Sequence, residues 1–239
     1  MKEIDYEVVI PIYNEGNSVI KVLNLFNKYV RYNIKVLLCY DLVDDNIFKY
    51  KNKFKKFKFK ILLVKNNQAG PCFAVKKGFT KIKSKCVIVY PADDFKNFIL
   101  LDKMYELYLT GAEIVVPSRF IKGGSMKNCP LLKSIIVKFA SSTLFHFSSI
   151  PVKDASNGFR LFSKKILNLI HIESKVGFAY SLELLVKCHR LGMKIIEIPS
   201  KWEERTRGQS RFKVLNWLPQ YLRWYIYGLQ TSWFGKKKL

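Results

Sequence analysis

The sequence contains few acidic residues. Its 239 residues include 18 Asp and Glu against 42 Lys and Arg, which gives a formal net charge of +24. An excess of this size favours an anionic partner such as phosphates, acidic lipid or nucleic acid. Since 49% of the residues are apolar and 15% are aromatic, the chain can bury a full core and is not expected to be disordered. Charge alone does not identify the function.

Cysteine pairs, long apolar runs and phosphate-binding glycine loops are also missing. The five cysteines contain no CxxC pair, so neither a disulfide framework nor a zinc site is expected, and a reducing cytosol fits best. No uncharged apolar run reaches the roughly 18 residues of a membrane span, and the N-terminus has acids where a signal peptide needs an apolar core. Neither a P-loop nor a GxGxxG motif occurs. These absences exclude the commonest nucleotide-binding loops.

Strand and helix patterns alternate along the chain. In the first 120 residues, strands separated by helices predict βαβ units and a mostly parallel sheet. The predicted strands are residues 6–11, 35–40, 58–64, 86–90 and 113–117, and the predicted helices are 18–29 (capped by Ser18), 70–78 and 99–110. Further on, helices are predicted at 131–148 and 180–191 and a strand at 194–198. A Lys- and Phe-rich run at 53–60 leads directly into the third strand, so we expect no nucleic-acid partner.

Acidic and amide side chains follow three of the predicted strands. They are Asn14 and Glu15 after the first strand, Asp41, Asp44 and Asp45 after the second, and Asp93 and Asp94 after the fourth. In such sheets the ligand lies beyond the carboxyl ends of the strands. Carboxylates beside a diphosphate predict a bridging Mg²⁺ or Mn²⁺ ion, bound through one or two acids and the phosphate oxygens. The alternative is that these residues only cap helices and shape loops.

Seven short segments, in a fixed order, carry a family resemblance. They are VIPIYNE at 9–15, DLVDDN at 41–46, Gly70-Pro71 with Gly78-Phe79, VPSRF with KGG at 116–124, DASNGFRLF at 154–162, GFAYSLELL at 177–185 and RTRGQSRF at 205–212. Together they resemble glycosyltransferase family 2, and within it the dolichyl-phosphate mannosyltransferase-like branch, over roughly residues 6–230. The resemblance implies an α/β GT-A fold: a mostly parallel sheet flanked by helices, in a domain of residues 1–212. Residues 213–239 would add a C-terminal amphipathic aromatic helix and basic tail.

The implied reaction is inverting transfer of a sugar from a nucleotide-diphosphate sugar to a polyprenyl phosphate. The alternative within the family is transfer to a hydroxyl of a glycan or polysaccharide. A hydroxyl acceptor needs a general base, for which Glu183 or Asp154 is the candidate. A phosphate acceptor is already an anion near neutral pH and needs cationic neighbours instead. The excess of Arg and Lys favours the phosphate.

The resemblance also implies roles for individual residues. Catalytic roles fall to Asp93, Glu183 and Arg119, nucleotide-sugar binding to Pro11, Tyr13, Glu15, Asp41, Asp93, Asp94, Arg205 and Arg211, acceptor-phosphate binding to Arg119 and Lys133, and metal binding to Asp93 and Asp94. The family's metal motif is Asp-x-Asp, whereas this chain has Pro91-Ala92-Asp93 with Asp94 following. Alternatives remain open: Glu15 and the Asp93–Asp94 pair could cap helices, Arg119 could hold the Asp154 loop, and Arg160 could be a structural ion-pair residue.

The C-terminal stretch is rich in aromatic residues. Trp217, Trp224 and Trp233 lie there, and a helix starting at Pro219 would carry a narrow polar stripe of Gln220, Arg223, Tyr227 and Gln230 before the basic end at 235–238. Such a helix is typical of a membrane interface with anionic lipid. We therefore expect a cytoplasmic protein held peripherally on the cytoplasmic face of a membrane. The alternative is a helix docked on its own domain, or a dimer contact.

Overall fold

The computed structural model describes residues 3–203 and 214–233, except for the side chains of residues 132, 133, 214–216 and 231–233. The strands are β1 Tyr6–Ile12, β2 Ile34–Tyr40, β3 Lys60–Lys65, β4 Cys86–Val89, β5 Ile114–Ser118, β6 Ser125–Lys127, β7 Arg160–Ser163, β8 Ile195–Pro199 and β9 Lys201–Glu203. The α-helices are α1 Gly16–Tyr29, α2 Pro71–Phe79, α3 Leu100–Leu109, α4 Leu131–Ser148, α5 Lys164–Leu169, α6 Ala179–Arg190 and α7 Val214–Trp233. Two 3₁₀ segments span Asn46–Lys56 and Asn97–Ile99.

A seven-stranded sheet organises the described residues, in the order β3-β2-β1-β4-β7-β5-β8. β7 runs antiparallel to both β4 and β5, while the pairs on either side of it are parallel. The prediction of a mostly parallel α/β sheet is therefore confirmed. The carboxyl ends of the parallel strands and the start of β7 share one edge of the sheet, and β6 and β9 form a separate small ladder.

The sheet is covered on both faces, as the near-continuous apolar strands require. Along β1, Val8 packs in the cluster on one face and Val9 in the cluster on the other, because successive strand side chains point in opposite directions. The first cluster includes buried residues of α1 and α3, such as Phe26, and the second includes residues of α2, α6 and α7, such as Leu184 and Trp224. This three-layer packing fixes the loops at the carboxyl edge.

Two helix starts differ from the prediction. α1 begins at Gly16 rather than at a Ser18 cap, because the Gly16 N–H donates to Asn46 Oδ1 at 2.7 Å and another loop thereby satisfies the first turn. α7 begins at Val214, so Pro219 lies inside the helix instead of starting it. A proline inside a helix removes one main-chain hydrogen bond. Side-chain packing of α7 against the domain compensates for that loss.

α7 docks on its own domain, as the alternative interpretation proposed. Trp224 is buried, and its Nε1 donates to Ser174 Oγ at 2.8 Å. Gly228 allows a close approach to α4 and α6, since a Cβ there would lie 2.9 Å from Leu144 Cδ2 and 3.1 Å from Val186 Cγ1. None of the helices in the described part of the chain has both the length and the apolarity needed to cross a membrane.

Candidate functional site

The loops that follow β1 and β2 are tied together at the carboxyl edge. Asp45 is buried, and its carboxylate accepts from the N–H of Asn14 at 2.7 Å and of Ile47 at 2.9 Å. The side chain of Asn46 donates to the Asn14 carbonyl at 2.9 Å, and the Asn46 N–H donates to Asn14 Oδ1 at 3.1 Å. Asn14 adopts a left-handed conformation with φ of 55°. These bonds hold the two loops in one arrangement, a role for Asn14 and Asn46 that the sequence did not reveal.

Pro11, Tyr13 and Glu15 lie beside this junction. Pro11 is the second-to-last residue of β1 and is partly exposed, and the Tyr13 ring is exposed in the loop. Glu15 occupies the N-cap position of α1, but its side chain makes no capping hydrogen bond. The capping interpretation of the Glu15 side chain is therefore wrong. The structure brings these three residues to the predicted edge of the sheet.

Asp41 connects three segments at the same edge. Its Oδ1 accepts from Asn66 Nδ2 at 2.9 Å, and its Oδ2 accepts from the N–H of Gly70 at 2.7 Å. Asn66 is itself held by its N–H, which donates to the carbonyl of Tyr40 at 2.8 Å. Each carboxylate oxygen can accept a second hydrogen bond. Asp41 thus shapes the edge and keeps acceptor capacity for a ligand hydroxyl.

Asp94 is engaged in the turn that follows β4. Asp94 Oδ1 accepts from the N–H groups of Lys96 and Asn97 at 2.8 and 2.9 Å, and its Oδ2 accepts from Asn97 Nδ2 at 2.6 Å. Three of its roughly four lone-pair positions are thereby used. Asp94 thus shapes the turn before the 3₁₀ segment Asn97–Ile99, whose N-cap residue is Lys96. Asp93, partly exposed, precedes it in the loop after β4.

Arg119 and Asp154 form a buried bidentate ion pair. Arg119 Nε lies 2.7 Å from Asp154 Oδ2, and Arg119 Nη2 lies 2.8 Å from Oδ1. The Arg119 N–H also donates to Oδ2 at 3.0 Å, and Ser156 Oγ accepts from Nη2 at 2.6 Å. Burial disfavours ionisation of Asp154, but the charge and hydrogen bonds of Arg119 outweigh it and lower the pKa of this carboxyl. Of the two roles left open for Arg119, the structure shows the one that holds the Asp154 loop.

The other side of the Arg119 guanidinium lies beside a thioether and two aromatic rings. Its Nη1 lies 3.7 Å from Met126 Sδ, a poor acceptor, and its guanidinium carbon lies 5.1 Å from the Phe120 ring centre and 5.9 Å from that of Trp202. Met126 and Trp202 are paired in register in the β6–β9 ladder, which the sequence did not predict because each strand has only three residues. Gly124 permits this arrangement, because a Cβ there would lie 2.5 Å from the Ser118 carbonyl oxygen.

Arg160 is a structural residue. It is fully buried and donates to the carbonyls of Ser181 at 2.6 Å, Ala155 at 2.7 Å and Asp154 at 3.3 Å. Burial lowers the pKa of its guanidinium to about 10, against the opposing charge of Asp154. Arg160 thus fixes the backbone of residues 154–155. Its role is structural, as one interpretation of the sequence proposed, but its hydrogen-bond partners are main-chain carbonyls.

Glu183 is enclosed within the protein on α6. Its carboxylate is fully buried and accepts from the N–H groups of Glu173 and Ser174, both at 2.8 Å, and from Lys187 Nζ at 2.7 Å. Lys187 in turn lies 2.8 Å from Glu173 Oε1. Both oxygens of Glu183 are therefore engaged within the protein, and the structure does not bring them to the edge residues described above.

Three predicted site residues have little or no structural description. Lys133 lies in the first turn of α4, but its side chain is outside the described set. Arg205 and Arg211 lie in a segment outside the described residues. In the part of the chain that is described, no three His, Cys, Asp or Glu side chains cluster as a metal site.

Comparisons with known proteins agree on a family and on a fold. The model of glycosyl transferase family 2 matches residues 7–170. A dolichol-phosphate mannosyltransferase of Pyrococcus furiosus is 29% identical over 141 residues, covering 57% of this chain and 38% of the relative. A polyprenol monophosphomannose synthase of Mycolicibacterium smegmatis is 24% identical over 130 residues, covering 49% of each chain. These matches span about half the length of the curated relatives or less.

A solved structure gives a longer match. The glucosyl-3-phosphoglycerate synthase of Mycobacterium tuberculosis, in complex with uridine diphosphate, superposes with a TM-score of 0.67 at 15% identity, covering 94% of this chain and 80% of the other. At this identity the match concerns the fold, and it extends over nearly the whole chain.

Proposed function

Because the chain belongs to glycosyl transferase family 2 and has the GT-A fold, we propose that it transfers a sugar from a nucleotide-diphosphate sugar to a polyprenyl phosphate. The relatives from Pyrococcus furiosus and Mycolicibacterium smegmatis, named for dolichol-phosphate and polyprenol-phosphate mannose products, support this acceptor class. No disulfide joins the five cysteines, all of which lie in the described residues, and this supports a reducing cytoplasmic compartment. Transfer would therefore occur at the cytoplasmic face of a membrane.

The observation that carries the choice of acceptor is the burial of two carboxylates. A glycan hydroxyl needs a general base, and the sequence offered Asp154 and Glu183 for that role. Both are fully buried, and both have each oxygen engaged by internal donors. A phosphate acceptor needs no base, because its oxygen already carries the electron pair that attacks. The geometry therefore supports the phosphate acceptor over the hydroxyl.

We assign the donor nucleotide to the edge formed by the loops after β1 and β2. Asp41 has unused acceptor capacity for a ribose or base donor, and the Tyr13 ring and Glu15 carboxylate lie on the same edge. The bonded Asn14, Asp45 and Asn46 hold this edge before the donor arrives, which lowers the ordering cost of binding. Arg205 and Arg211 remain our candidates for closing over the diphosphate.

The residues after β4 fit one divalent cation bound through a single carboxylate. Mg²⁺ and Mn²⁺ are commonly held by one or two carboxylates together with substrate phosphates. Asp93, partly exposed in the loop after β4, stands where the family's Asp-x-Asp motif has an acid, so we assign the ligand role to it. When bound, the ion would act as a Lewis acid that stabilises negative charge on the leaving diphosphate.

We propose that the acceptor phosphate binds on the Nη1 side of Arg119, with Lys133 as a second cation. Within the described residues, the acceptor nearest to Nη1 is the thioether of Met126 at 3.7 Å, and a phosphate oxygen would be a much stronger partner. Asp154 holds the guanidinium in place through the opposite side. A phosphate oxygen then forms a bond to the anomeric carbon as the bond to the diphosphate breaks, with inversion. The nucleoside diphosphate leaves with that electron pair, and no proton is abstracted.

The test is sugar transfer from a panel of nucleotide-diphosphate sugars to polyprenyl phosphate, with Mn²⁺, Mg²⁺ or a chelator. We expect a phosphatase-resistant lipid product that requires metal and falls at least about a hundredfold in Asp93→Ala. Glu3→Ala, which removes an exposed carboxylate before the start of β1 and away from the site, is the matched control and should retain activity. Donor hydrolysis without any lipid product would overturn the phosphate acceptor in favour of a glycan. Failure to bind any donor would overturn the transferase proposal itself.

A further inference from the structure

Exposed apolar side chains are concentrated on two helices. Half of the large apolar residues that are exposed in the described part of the chain belong to α4 or α7. On α4 they are Leu131, Ile135, Ile136, Phe139 and Phe147, of which Leu131 is 76% and Phe139 67% exposed. Contiguous apolar surface of this kind marks an interaction site more often than a scatter of single residues does.

α7 extends this surface, because it packs directly against α4. Thr143 Oγ1 and the Tyr225 hydroxyl lie 2.8 Å apart, and Gly228 approaches Leu144 closely. The exposed apolar residues of α7 repeat every four positions and so form one row along the helix: Leu218, Leu222 and Ile226. The two helices therefore present a joint apolar face, here named the α4–α7 face.

The polar residues of α7 hold the helix to its domain. Gln220 Oε1 accepts from the N–H of Lys175 at 2.9 Å, and Arg223 forms an ion pair with Glu173. The predicted polar stripe thus supplies bonds to the 173–175 segment instead of a purely solvent-facing surface. As a result, the row through Leu222 is left facing solvent.

The positive charge of the α4–α7 face favours an anionic partner. Neither α4 nor α7 contains an acidic residue, and their charged side chains are Lys133, Lys138 and Arg223. The whole chain carries +24. A second copy of the chain would bring the same positive charge against this face, whereas an anionic bilayer supplies both the apolar interior and the opposite charge.

We propose that the α4–α7 face docks in the plane of an anionic lipid bilayer, with α4 as its main contributor. The face lies on the acceptor side of the site, because α4 follows closely after β6, whose Met126 contacts Arg119. Docking would therefore bring the acceptor-binding residues to the lipid headgroups. This link to the acceptor rests on the proposed function, whereas the docking itself does not.

The test is flotation of the full chain with vesicles of phosphatidylcholine, with and without phosphatidylglycerol. The variant Ile135→Ser/Phe139→Ser removes two side chains that are 55% and 67% exposed on the face. Its matched control, Leu109→Ser/Leu169→Ser, removes two that are 62% and 59% exposed elsewhere. We expect the face variant to lose at least about tenfold in partitioning and the control to remain within about twofold, with wild type preferring the anionic vesicles.

The outcomes separate docking from sugar transfer. Equal flotation of both double variants, or no flotation of the wild type, would overturn the lipid-docking proposal. Self-association that only the face variant abolishes would assign the face to a second copy and overturn it as well. A parallel assay with a short-chain, water-soluble prenyl phosphate tests the chemistry. Sugar transfer without vesicle binding would overturn only the docking proposal. Vesicle binding without sugar transfer would overturn only the proposed function. Circular dichroism confirms that each variant is folded.

Discussion

Replacing Asp154 with Asn tests whether the ion pair with Arg119 anchors the acceptor side of the site. The carboxylate accepts three bonds from Arg119 and two from Ser156. An amide in its place would turn an NH₂ group toward one set of these donors and leave the buried guanidinium without its counter-ion. Removing one partner of a buried ion pair costs about 3–5 kcal/mol. For a domain of this size that corresponds to a fall in Tm of roughly 6–20 °C.

The assay is urea denaturation followed by tryptophan fluorescence, with Asp44→Asn as control. Asp44 is exposed, so its substitution changes the net charge equally and should shift the free energy of unfolding by less than about 0.5 kcal/mol. If Asp154→Asn also falls within about 1 kcal/mol of wild type, the pair is not an anchor and the argument is refuted. An unchanged m value would show that the midpoint shift reports stability.

The pH dependence of this variant has a defined sign. Folding lowers the pKa of Asp154 below the usual value of about 3.9, despite burial, because Arg119 favours the carboxylate. Its contribution to stability is therefore present above pH 3.9 and is lost as the pH falls through the lowered folded value. The difference in unfolding free energy between wild type and Asp154→Asn should narrow below about pH 4. A difference that stays constant from pH 7 to pH 3 would contradict this assignment.

Two further substitutions test the packing of α7 and the role of Glu183. Gly228→Val should destabilise the protein by about 1–3 kcal/mol, because its Cβ would lie 2.9 Å from Leu144 Cδ2. Gln230→Val, on the exposed side of the same helix, is the control and should be nearly neutral. Urea midpoints measure both variants, and equal midpoints would contradict the packing. Glu183→Gln should lower the free energy of unfolding by about 2–4 kcal/mol, because it removes the negative charge that pairs with buried Lys187. The kcat of the folded variant should stay within about twofold of wild type. A hundredfold lower kcat would instead identify Glu183 as a general base.

Most of the sheet could be predicted from the sequence because its strands and helices are long and strongly patterned. The helix predicted at 131–148 has the bounds of α4, and β2 extends its predicted strand by one residue. β7 escaped prediction because its four residues, RLFS, contain only two apolar side chains between Arg160 and Ser163, which is too short an apolar run to indicate a strand. β6 and β9 escaped because short strands are defined by a partner distant in the chain rather than by their own pattern.

The position of the candidate site was predictable, but the partners of its residues were not. Parallel strands end at one edge, so Asp41 and Asp93 could be placed together from spacing alone. The pairing of Arg119 with Asp154 depends instead on β7 entering the sheet between β4 and β5, which brings the 154 loop beside the end of β5. The burial of Glu183 against the 173–174 backbone likewise depends on three-dimensional neighbours. The role of Asp94 is local, because its side-chain partners lie two and three residues further along the chain.

Because α4 packs against α7, part of the α4 surface stays uncovered during synthesis until α7 has been made. Leu144 of α4 is buried partly by the backbone of Gly228, which leaves the ribosome well after α4 itself. At 5–20 residues per second the interval is on the order of ten seconds, during which α4 is apolar on both its inner and its outer side. Until α7 is synthesised, the growing chain therefore exposes apolar surface of α4 that is buried in the finished fold.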